Sequence, residues 1–186
     1  MAQDRRPVED EQPLVIVAHP DLGSSRVNAR WMAEIEKSGT AVLHDLYATY
    51  PDGVVDAARE QDLLERHCVT VFQFPVYWYS CPTLLRTWFD TVYQAGWAYG
   101  DGNRGNRLAG RRFAAAVSAG DVERNYREGG KVGFTMEQAL TPFAATCNYV
   151  GAKWMGNFAL YGAEVDLSDD RLDASAAAYI DWLSSL

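Results

Sequence analysis

The first residues that could carry out chemistry lie in residues 14–28, which read Leu-Val-Ile-Val-Ala-His-Pro-Asp-Leu-Gly-Ser-Ser-Arg-Val-Asn. The five apolar residues at its start are too few for a helix and indicate a buried parallel strand. A helical spacing of apolar residues then begins at Val27. Serine hydroxyls and Asn28 would join the free N–H groups of that first helical turn, an arrangement that suits phosphate. The same pattern is also typical of any first strand-to-helix turn in an α/β domain, with Ser24 or Ser25 as the helix cap.

A metal site is a second interpretation of this loop. His19-Pro20-Asp21 resembles the start of the motif of zinc-dependent N-acetylglucosaminyl deacetylases, where His and Asp hold zinc. That motif continues with further acids and needs a distant histidine, whereas Leu-Gly follows here. The two other histidines, His44 and His67, form no H-x-x-H pair, and we expect His44 to be packed or hydrogen-bonded within a strand. We therefore expect no metal.

An aromatic loop follows the third apolar run, residues 68–74. It reads Pro-Val-Tyr-Trp-Tyr-Ser-Cys-Pro over residues 75–82, and its second proline is well placed for the first turn of a helix. A hydrophobic lid or an interface patch would explain the three consecutive aromatic residues. However, open α/β sheets bind ligands beyond the carboxyl ends of their strands. The position therefore favours a planar ligand.

Two later loops carry polar or glycine-rich sequence. Residues 112–118 form another β-rich run, and Ala119-Gly120-Asp121, then Tyr126 and Gly129-Gly130, follow it. Residues 96–107 are rich in glycine but lack the G-K-[ST] ending of a phosphate loop. Only the loop after residues 112–118 therefore joins the two earlier loops as a third loop, at the end of a strand, whose side chains could bind a ligand.

The elements that must position these loops alternate between strand and helix. Strands are predicted at residues 14–18, 40–46, 68–74, 112–118 and 153–161, and helices from Val27, at 55–67, 83–93, 134–149 and 168–186. Pro142 should bend the fourth helix or mark its restart. The apolar stripe of Thr83–Tyr93 is a candidate for the core or for a dimer interface. Such alternation predicts a parallel sheet with helices on both faces.

Composition narrows the function classes. The 186 residues suit one domain, residues 14–186, after a flexible tail of residues 1–13. A net charge of −8, from 25 acids and 17 bases, argues against nucleic acid as a partner. Three cysteines without a C-x-x-C pair, and no apolar run or leader of membrane type, predict a cytoplasmic protein. The 6 Trp, 10 Tyr and 7 Phe exceed the needs of the core, which predicts an aromatic pocket or interface.

Taken together, the three loops resemble those of the flavodoxin-like NAD(P)H:quinone oxidoreductases. The likeness covers roughly residues 14–165, with the order of the motifs preserved. Trp78-Tyr79-Ser80 and Gly96-Trp97-Ala98-Tyr99-Gly100 bring the chain closest to the flavoprotein ancillary subunits of glutathione-gated potassium efflux systems. The resemblance implies a flavodoxin-like three-layer α/β/α sandwich, with a five-stranded parallel sheet in the order 2-1-3-4-5.

The resemblance also implies a cofactor site. FMN is the expected cofactor, FAD is the alternative, and NAD(P)H is the expected co-substrate. The residues implied to hold the flavin phosphate are His19, Ser25, Val27 and Asn28; those along the isoalloxazine are Pro75, Val76, Tyr77, Trp78 and Tyr79; those over its pyrimidine side are Ser118, Gly120 and Tyr126. Tyr126 is the implied catalytic residue, because a tyrosine hydroxyl can donate a hydrogen bond to charge that develops there.

The implied reaction is a two-electron transfer from NAD(P)H, through flavin N5, to a quinone or a related electrophile, in a homodimer. Two alternatives remain open: a flavin-binding regulatory subunit of a potassium efflux transporter, peripheral at the inner face of the membrane, and a flavodoxin-type electron carrier. The chain departs from the family pattern at three positions. Val132 stands where the mammalian quinone reductases have a histidine, Tyr77 stands where a glutamine is common, and Asp121 replaces a glycine. The proton source and the acceptor therefore stay open.

Overall fold

One parallel sheet organises the chain. The computed structural model describes residues 12–100 and 105–186. The strands are β1 (Leu14–Val17), β2 (Val42–Asp45), β3 (Val69–Pro75), β4 (Arg112–Ala119) and β5 (Lys153–Tyr161). They pair in parallel in the order β2-β1-β3-β4-β5. This confirms the predicted five-stranded parallel sheet and its order. Every residue of β1 and β3 is buried, as expected for strands covered on both faces.

Seven α-helices connect and cover the strands in the described part of the chain. They are α1 (Arg26–Ser38), α2 (Leu46–Thr49), α3 (Ala57–Arg66), α4 (Thr83–Val92), α5 (Met136–Ala139), α6 (Thr141–Tyr149) and α7 (Asp169–Ser184). Side chains that accept from the third helical residue cap five of them: Ser25 on α1, Asp45 on α2, Asp56 on α3, Thr135 on α5 and Ser168 on α7. These polar caps satisfy backbone donors that each helix itself leaves unpaired.

Alternate residues of the strands build two cores, one on each face of the sheet. On one face, Phe72 and Phe113 pack with Trp88 of α4. On the other face, Val15 and Val71 share a cluster with aromatic residues of α1 and α7, including Trp31 and Tyr179. Because successive strand residues point to opposite faces, a central strand supplies both cores. The result is the predicted three-layer arrangement.

The apolar stripe of α4 belongs to the core. Leu84, Leu85, Trp88 and Val92 are buried within the chain itself, and Phe89 is half-buried against Phe72. The prediction that this stripe is an interface candidate is therefore wrong. An interface would have to use the flank of α4 that carries its exposed residues, such as Arg86 and Asp90.

Two predicted elements differ from the structure in their boundaries. The predicted helix over residues 134–149 is two helices that divide at Leu140, and Pro142 lies in the first turn of the second. Proline is tolerated there because the first helical residues have no intrahelical N–H partner, so the predicted restart is confirmed. The predicted strand over residues 40–46 ends at Asp45, because Leu46 begins the short helix α2, which Asp45 caps through the Ala48 N–H.

A buried carboxylate fastens the β2 edge of the sheet to the helices. Glu60 of α3 is fully buried, and its oxygens accept from the Tyr50 hydroxyl at 2.6 Å and from Trp88 Nε1 at 2.8 Å. His44 Nε2 of β2 lies 3.0 Å from both carboxylate oxygens, so the expectation of a hydrogen-bonded His44 is confirmed. These hydrogen bonds keep the pKa of Glu60 below its usual value, although burial acts in the opposite direction.

Parts of the sequence predictions lie outside the described residues. The predicted flexible tail, residues 1–13, is described only from residue 12, and Pro13 O accepts from the Val42 N–H at 2.9 Å. The glycine-rich segment 96–107 is described without residues 101–104. No helix among the described residues has the length and the apolar character required to cross a membrane.

Candidate functional site

A cleft of about 210 Å³ lies at the carboxyl edge of the sheet. Its walls come from the segments that follow β1, β3, β4 and β5, because the carboxyl ends of parallel strands meet at one edge. It is lined by His19, Ser24, Ser25, Arg26, Val27, Pro75, Val76, Tyr77, Ser118, Gly120, Ala163 and Glu164. The structure thus brings together residues from all three loops that the sequence singled out. Asn28, Trp78, Tyr79 and Tyr126 are outside this lining.

The first turn of α1 forms one end of the cleft. Ser25 is the helix cap, and its Oγ accepts from the Asn28 N–H at 3.1 Å. Because α1 begins at Arg26, the N–H groups of Arg26 and Val27 have no carbonyl partner within the helix. Such N–H groups, together with serine hydroxyls, are donors that bind anions. This end of the cleft can therefore hold a phosphate group.

Asn28 is buried behind this end of the cleft, with 1% of its surface exposed. Its Nδ2 donates to Ser118 Oγ at 3.1 Å and to Ser25 Oγ at 3.3 Å. The amide therefore joins two cleft residues from different parts of the fold, Ser25 before α1 and Ser118 at the carboxyl end of β4. In this position Asn28 can act on a ligand through the hydroxyls of Ser25 and Ser118.

His19 is a neutral donor in the cleft wall. Its Nδ1 accepts from the Asp21 N–H at 3.1 Å, which leaves the proton of a neutral ring on Nε2. Burial lowers the pKa of His19, despite opposing effects of Asp21 and Asp45. Among the described residues, no group of three or more His, Cys, Asp or Glu side chains could hold a metal ion.

The aromatic loop is a two-residue turn in an unusual backbone conformation. Tyr77 and Ser80 exchange two backbone hydrogen bonds of 3.0 Å, and the residues between them have positive φ, 48° at Trp78 and 62° at Tyr79. Positive φ at both central residues is the geometry of type I′ turns, in which Asn and Gly are preferred. The turn nevertheless presents Trp78 with 93% of its surface exposed. Such strain is typical of binding sites, where it holds side chains in place for a ligand.

Tyr126 lies on a loop that is held at both ends. It follows a 3₁₀ turn, Glu123–Asn125, and its ring packs on Tyr161 at a centroid distance of 5.2 Å. Asp121 accepts from Asn125 Nδ2 at 2.8 Å, so the acid at this departure from the family pattern fastens the loop. At Gly130 a Cβ would lie 2.5 Å from Asn125 O, which explains the need for glycine there.

The hydroxyl of Tyr126 is held in its protonated form. Burial is the largest cause that raises its pKa, and the nearby Tyr79, Asp121 and Glu164 add to it. The group can therefore donate a proton or a hydrogen bond at neutral pH.

Neutral donors dominate the chemistry of the cleft. Arg26 is the cation that lines it among the described residues, but its guanidinium donates to Leu167 O at 2.9 Å and to Asp169 at 2.6 Å. An anion bound here would therefore rely on N–H and O–H groups and on the N-terminus of α1.

Sequence reasoning missed three contributors. Ala163 and Glu164 line the cleft from the segment after β5, and the end of that predicted strand was a signal that could have found them. The Glu164 side chain lies over Gly120, with Cδ 2.8 Å from where a Cβ at residue 120 would be. Gln73, a polar residue within the apolar run of β3, is the third, because its Nε2 donates to Asn28 O at 3.1 Å.

Comparison with known proteins places this cleft in a family. Residues 12–183 match the family model described as flavodoxin-like fold. Over 172 residues, the chain is 41% identical to the NAD(P)H oxidoreductase YrkL of Bacillus subtilis, covering 92% of this chain and 97% of that protein. It is 39% identical, over 92% of both proteins, to the glutathione-regulated potassium-efflux system ancillary protein KefG of Pectobacterium carotovorum.

Two solved structures share the fold closely. General stress protein 14 of Treponema denticola, in complex with FMN, is 38% identical, with a TM-score of 0.86 over 94% of this chain and 98% of that one. An NADPH-quinone reductase of P. pentosaceus is 29% identical, with a TM-score of 0.82 over 94% and 99%. The sheet order, the cleft and these matches agree, and the chain therefore belongs to the family of proteins with the flavodoxin-like fold.

Proposed function

We propose that this protein is an FMN-dependent NAD(P)H oxidoreductase that reduces a quinone or a related electrophile. The observation that carries the proposal is the meeting of three groups of residues in one cleft: the N-terminus of α1 with Ser25, Ser118 at the carboxyl end of β4, and residues 75–77, which lead into the strained aromatic turn. The FMN complex of the 38% identical structure and the names of the oxidoreductase relatives support it.

The phosphate of the cofactor would lie at the first turn of α1. Ser25 and Ser118 offer hydroxyl donors, the N–H groups of Arg26 and Val27 face no intrahelical partner, and a neutral His19 offers Nε2. These donors converge on one end of the cleft, and they match the acceptor oxygens of a phosphate. Asn28 would support the two serines from behind.

The isoalloxazine would lie along residues 75–79. Pro75, Val76 and Tyr77 line the cleft, and the exposed Trp78 and Tyr79 extend an aromatic surface beyond it. When bound, the flavin supplies the redox chemistry, because it accepts a hydride from NAD(P)H and passes two electrons to the acceptor. The chain would orient that ring through flat side chains and the N–H groups of Trp78 and Tyr79, since the N–H groups of Val76 and Tyr77 already donate to Ser118 O and Ser80 O. The strained turn would fix the position of these groups.

Tyr126 would donate a proton or a hydrogen bond to the oxygen of the acceptor. Its pKa lies above the ordinary value, mainly because it is half-buried, so it keeps its proton at neutral pH. Val132 stands where a histidine would relay the proton, so Tyr126 would regain its proton from water.

We further propose a homodimer in the cytoplasm, with FMN in preference to FAD. A second cleft of about 380 Å³ is lined by residues of α4, α6 and the segment after α4. The rings of Tyr99 and Tyr149 contact each other at its margin, with centroids 5.5 Å apart and a tilt of 52°, and Tyr149 is 72% exposed. An exposed aromatic surface of this kind suits a second copy of the chain. Light scattering coupled to size exclusion would give twice the chain mass, and a monomer mass would contradict this part.

A second candidate function is that of a flavin-binding subunit which regulates a potassium efflux transporter. The 39% identity to KefG over nearly the whole chain favours it. In that case the cleft would serve as a sensor and reductase activity would be secondary. Co-purification with a membrane-embedded efflux protein from the native cell would favour this candidate, and stimulation of the transporter by the bound subunit would establish it.

The decisive experiment is spectroscopic. Purified protein should be yellow or should take up FMN, and NADPH or NADH should bleach it without air. A quinone added afterwards should restore the colour. A colourless protein that binds neither FMN nor FAD would contradict the proposal, and a yellow protein that NAD(P)H does not bleach would indicate an electron carrier instead.

A further inference from the structure

We infer that Gln73 is a positioning residue that sets the direction of the hydrogen bonds offered to the ligand phosphate. The inference rests on the proposed function, since it concerns the phosphate end of the same cleft. It assigns to a buried side chain of β3, which does not line the cleft, a part in its anion selectivity.

The amide of Gln73 has one permitted orientation. Its side chain is fully buried, and it meets the backbone O of Asn28 at 3.1 Å and the side-chain Oδ1 of Asn28 at 3.5 Å. A backbone carbonyl oxygen can only accept a hydrogen bond, so Gln73 must turn Nε2 toward it. Its donor group therefore faces Asn28.

The orientation of Gln73 then fixes that of Asn28. With Nε2 of Gln73 on one side, the acceptor Oδ1 of Asn28 must face it, and Nδ2 must point the opposite way. There Nδ2 meets Ser118 Oγ at 3.1 Å and Ser25 Oγ at 3.3 Å. Both serine oxygens accept from it. If the Asn28 amide were flipped, the serine hydroxyls would donate to its oxygen instead. Gln73 therefore determines which of the two arrangements forms.

The serine protons are consequently left for the ligand. Ser25 Oγ accepts twice, from the N–H and from Nδ2 of Asn28, and Ser118 Oγ accepts once. Neither hydroxyl donates to another residue in the described ranges, and both line the cleft. Each donor in this chain of hydrogen bonds therefore points from Gln73 toward Asn28 and from Asn28 toward the serines. The two serine O–H groups are left to donate to a phosphate oxygen.

The fold keeps Gln73 at a cost. Its Oε1 is buried and has no hydrogen-bond partner among the described residues, and an unpaired buried acceptor destabilises a protein. The neighbours of Gln73 on this face are apolar, including Val17 and Ala116, so an apolar residue would fit the surroundings better. A polar residue that the fold alone does not need is typical of a functional site.

The test compares FMN with riboflavin, which differ by the phosphate. Dissociation constants of both are measured by titration of flavin-free full-length protein, for the wild type and for Gln73→Met. We expect Gln73→Met to weaken FMN binding about tenfold, as loss of oriented donors to a charged group does, and to leave riboflavin within about twofold. Thr70→Val, a buried polar-to-apolar change three residues earlier in β3, is the control and should change neither constant.

The outcomes separate the inference from the proposed function. If Gln73→Met weakens FMN and riboflavin by the same factor, or neither, Gln73 has no part in phosphate recognition and the inference is overturned. If the wild type binds neither flavin, the proposed function fails and the inference fails with it.

A second variant guards against poor folding of the first. Gln73→Leu also removes the donor that faces Asn28, with a branched apolar side chain in place of the straight one of methionine. The order of Oδ1 and Nδ2 in Asn28 is then no longer fixed, so the serine hydroxyls are no longer held as donors toward the cleft. The preference for FMN over riboflavin should fall as in Gln73→Met, with the circular dichroism spectrum retained. An unchanged preference in either folded variant overturns the inference.

Discussion

Asn28 Nδ2 and Ser118 Oγ lie 3.1 Å apart, although 90 positions separate the two residues in the chain. This hydrogen bond fastens the first turn of α1 to the carboxyl end of β4. Two walls of the cleft are therefore held together before any ligand arrives, which reduces the entropy that binding must overcome.

Replacing Ser25 by alanine should have two separate effects. Loss of the cap on α1 should lower the free energy of unfolding by about 1 kcal/mol. Loss of its hydroxyl donor should also weaken FMN binding about tenfold. Ser168→Ala is the matched control, because Ser168 caps α7 in the same way away from the cleft. Ser168→Ala should lower the free energy of unfolding by a similar amount and leave the FMN affinity unchanged. Equal losses of FMN affinity in both variants would contradict a direct role for Ser25.

Replacing Tyr126 by phenylalanine should slow quinone turnover by about tenfold or more, while flavin content stays intact. The ring that packs on Tyr161 is kept and only the hydroxyl is lost. Steady-state kinetics and the flavin absorbance of the purified variant measure the two effects. Tyr161→Phe removes a neighbouring hydroxyl and should leave turnover unchanged. Normal turnover in Tyr126→Phe would remove this residue from the mechanism.

The pH dependence of turnover should reflect a tyrosine that loses its proton late. The raised pKa of Tyr126, due mainly to burial, keeps its donor form through neutral pH. Turnover should therefore show no loss assigned to this group until the pH passes the ordinary tyrosine value of about 10. The measurement is the difference between the pH profiles of the wild type and of Tyr126→Phe. A Tyr126-dependent decline centred near pH 8 would rule out this role.

Replacing the two strained residues of the aromatic turn should stabilise the protein and weaken FMN binding. Replacing Trp78 by Asn and Tyr79 by Gly places residues that accept positive φ at the two strained positions. Relief of the strain should raise the free energy of unfolding by about 1 kcal/mol or more. Loss of the two rings should weaken FMN binding, as isothermal titration or fluorescence quenching would record. A variant that binds FMN as tightly as the wild type would mean that the rings do not contact the cofactor.

Replacing Glu60 by glutamine should destabilise the fold by about 3–5 kcal/mol, the usual effect of breaking a buried charged network. Donors from Tyr50, Trp88 and His44 converge on its carboxylate, and a neutral amide offers one oxygen in place of two. The pKa of Glu60 is lowered in the folded state, so its contribution exists above the unfolded pKa and is lost as the pH falls through the folded one. Urea unfolding from pH 7 down into the acid range should therefore show a weaker pH dependence in Glu60→Gln. An identical slope in both proteins would contradict it.

The sequence by itself determined the parallel sheet and the loops that meet at its cleft. Short runs such as Leu14–Val17 and Val69–Pro75 are apolar throughout, because strands covered on both faces have no solvent-facing side. Polar and aromatic residues directly after such runs must meet at one edge of a parallel sheet. The predicted loops meet at one cleft for this reason, and the strand order that the family resemblance implied is confirmed.

Tertiary structure alone decided how individual side chains are used. The stripe of α4 could be core or interface by spacing, and only the packing of Trp88 against Phe72 shows it to be core. Asn28 could face the ligand by sequence, but its burial against Ser118 depends on how far α1 and β4 approach each other. Gln73 gave no signal except its polarity within an apolar strand. Hydrogen-bond direction and burial depend on residues far apart in the chain, so no local pattern encodes them.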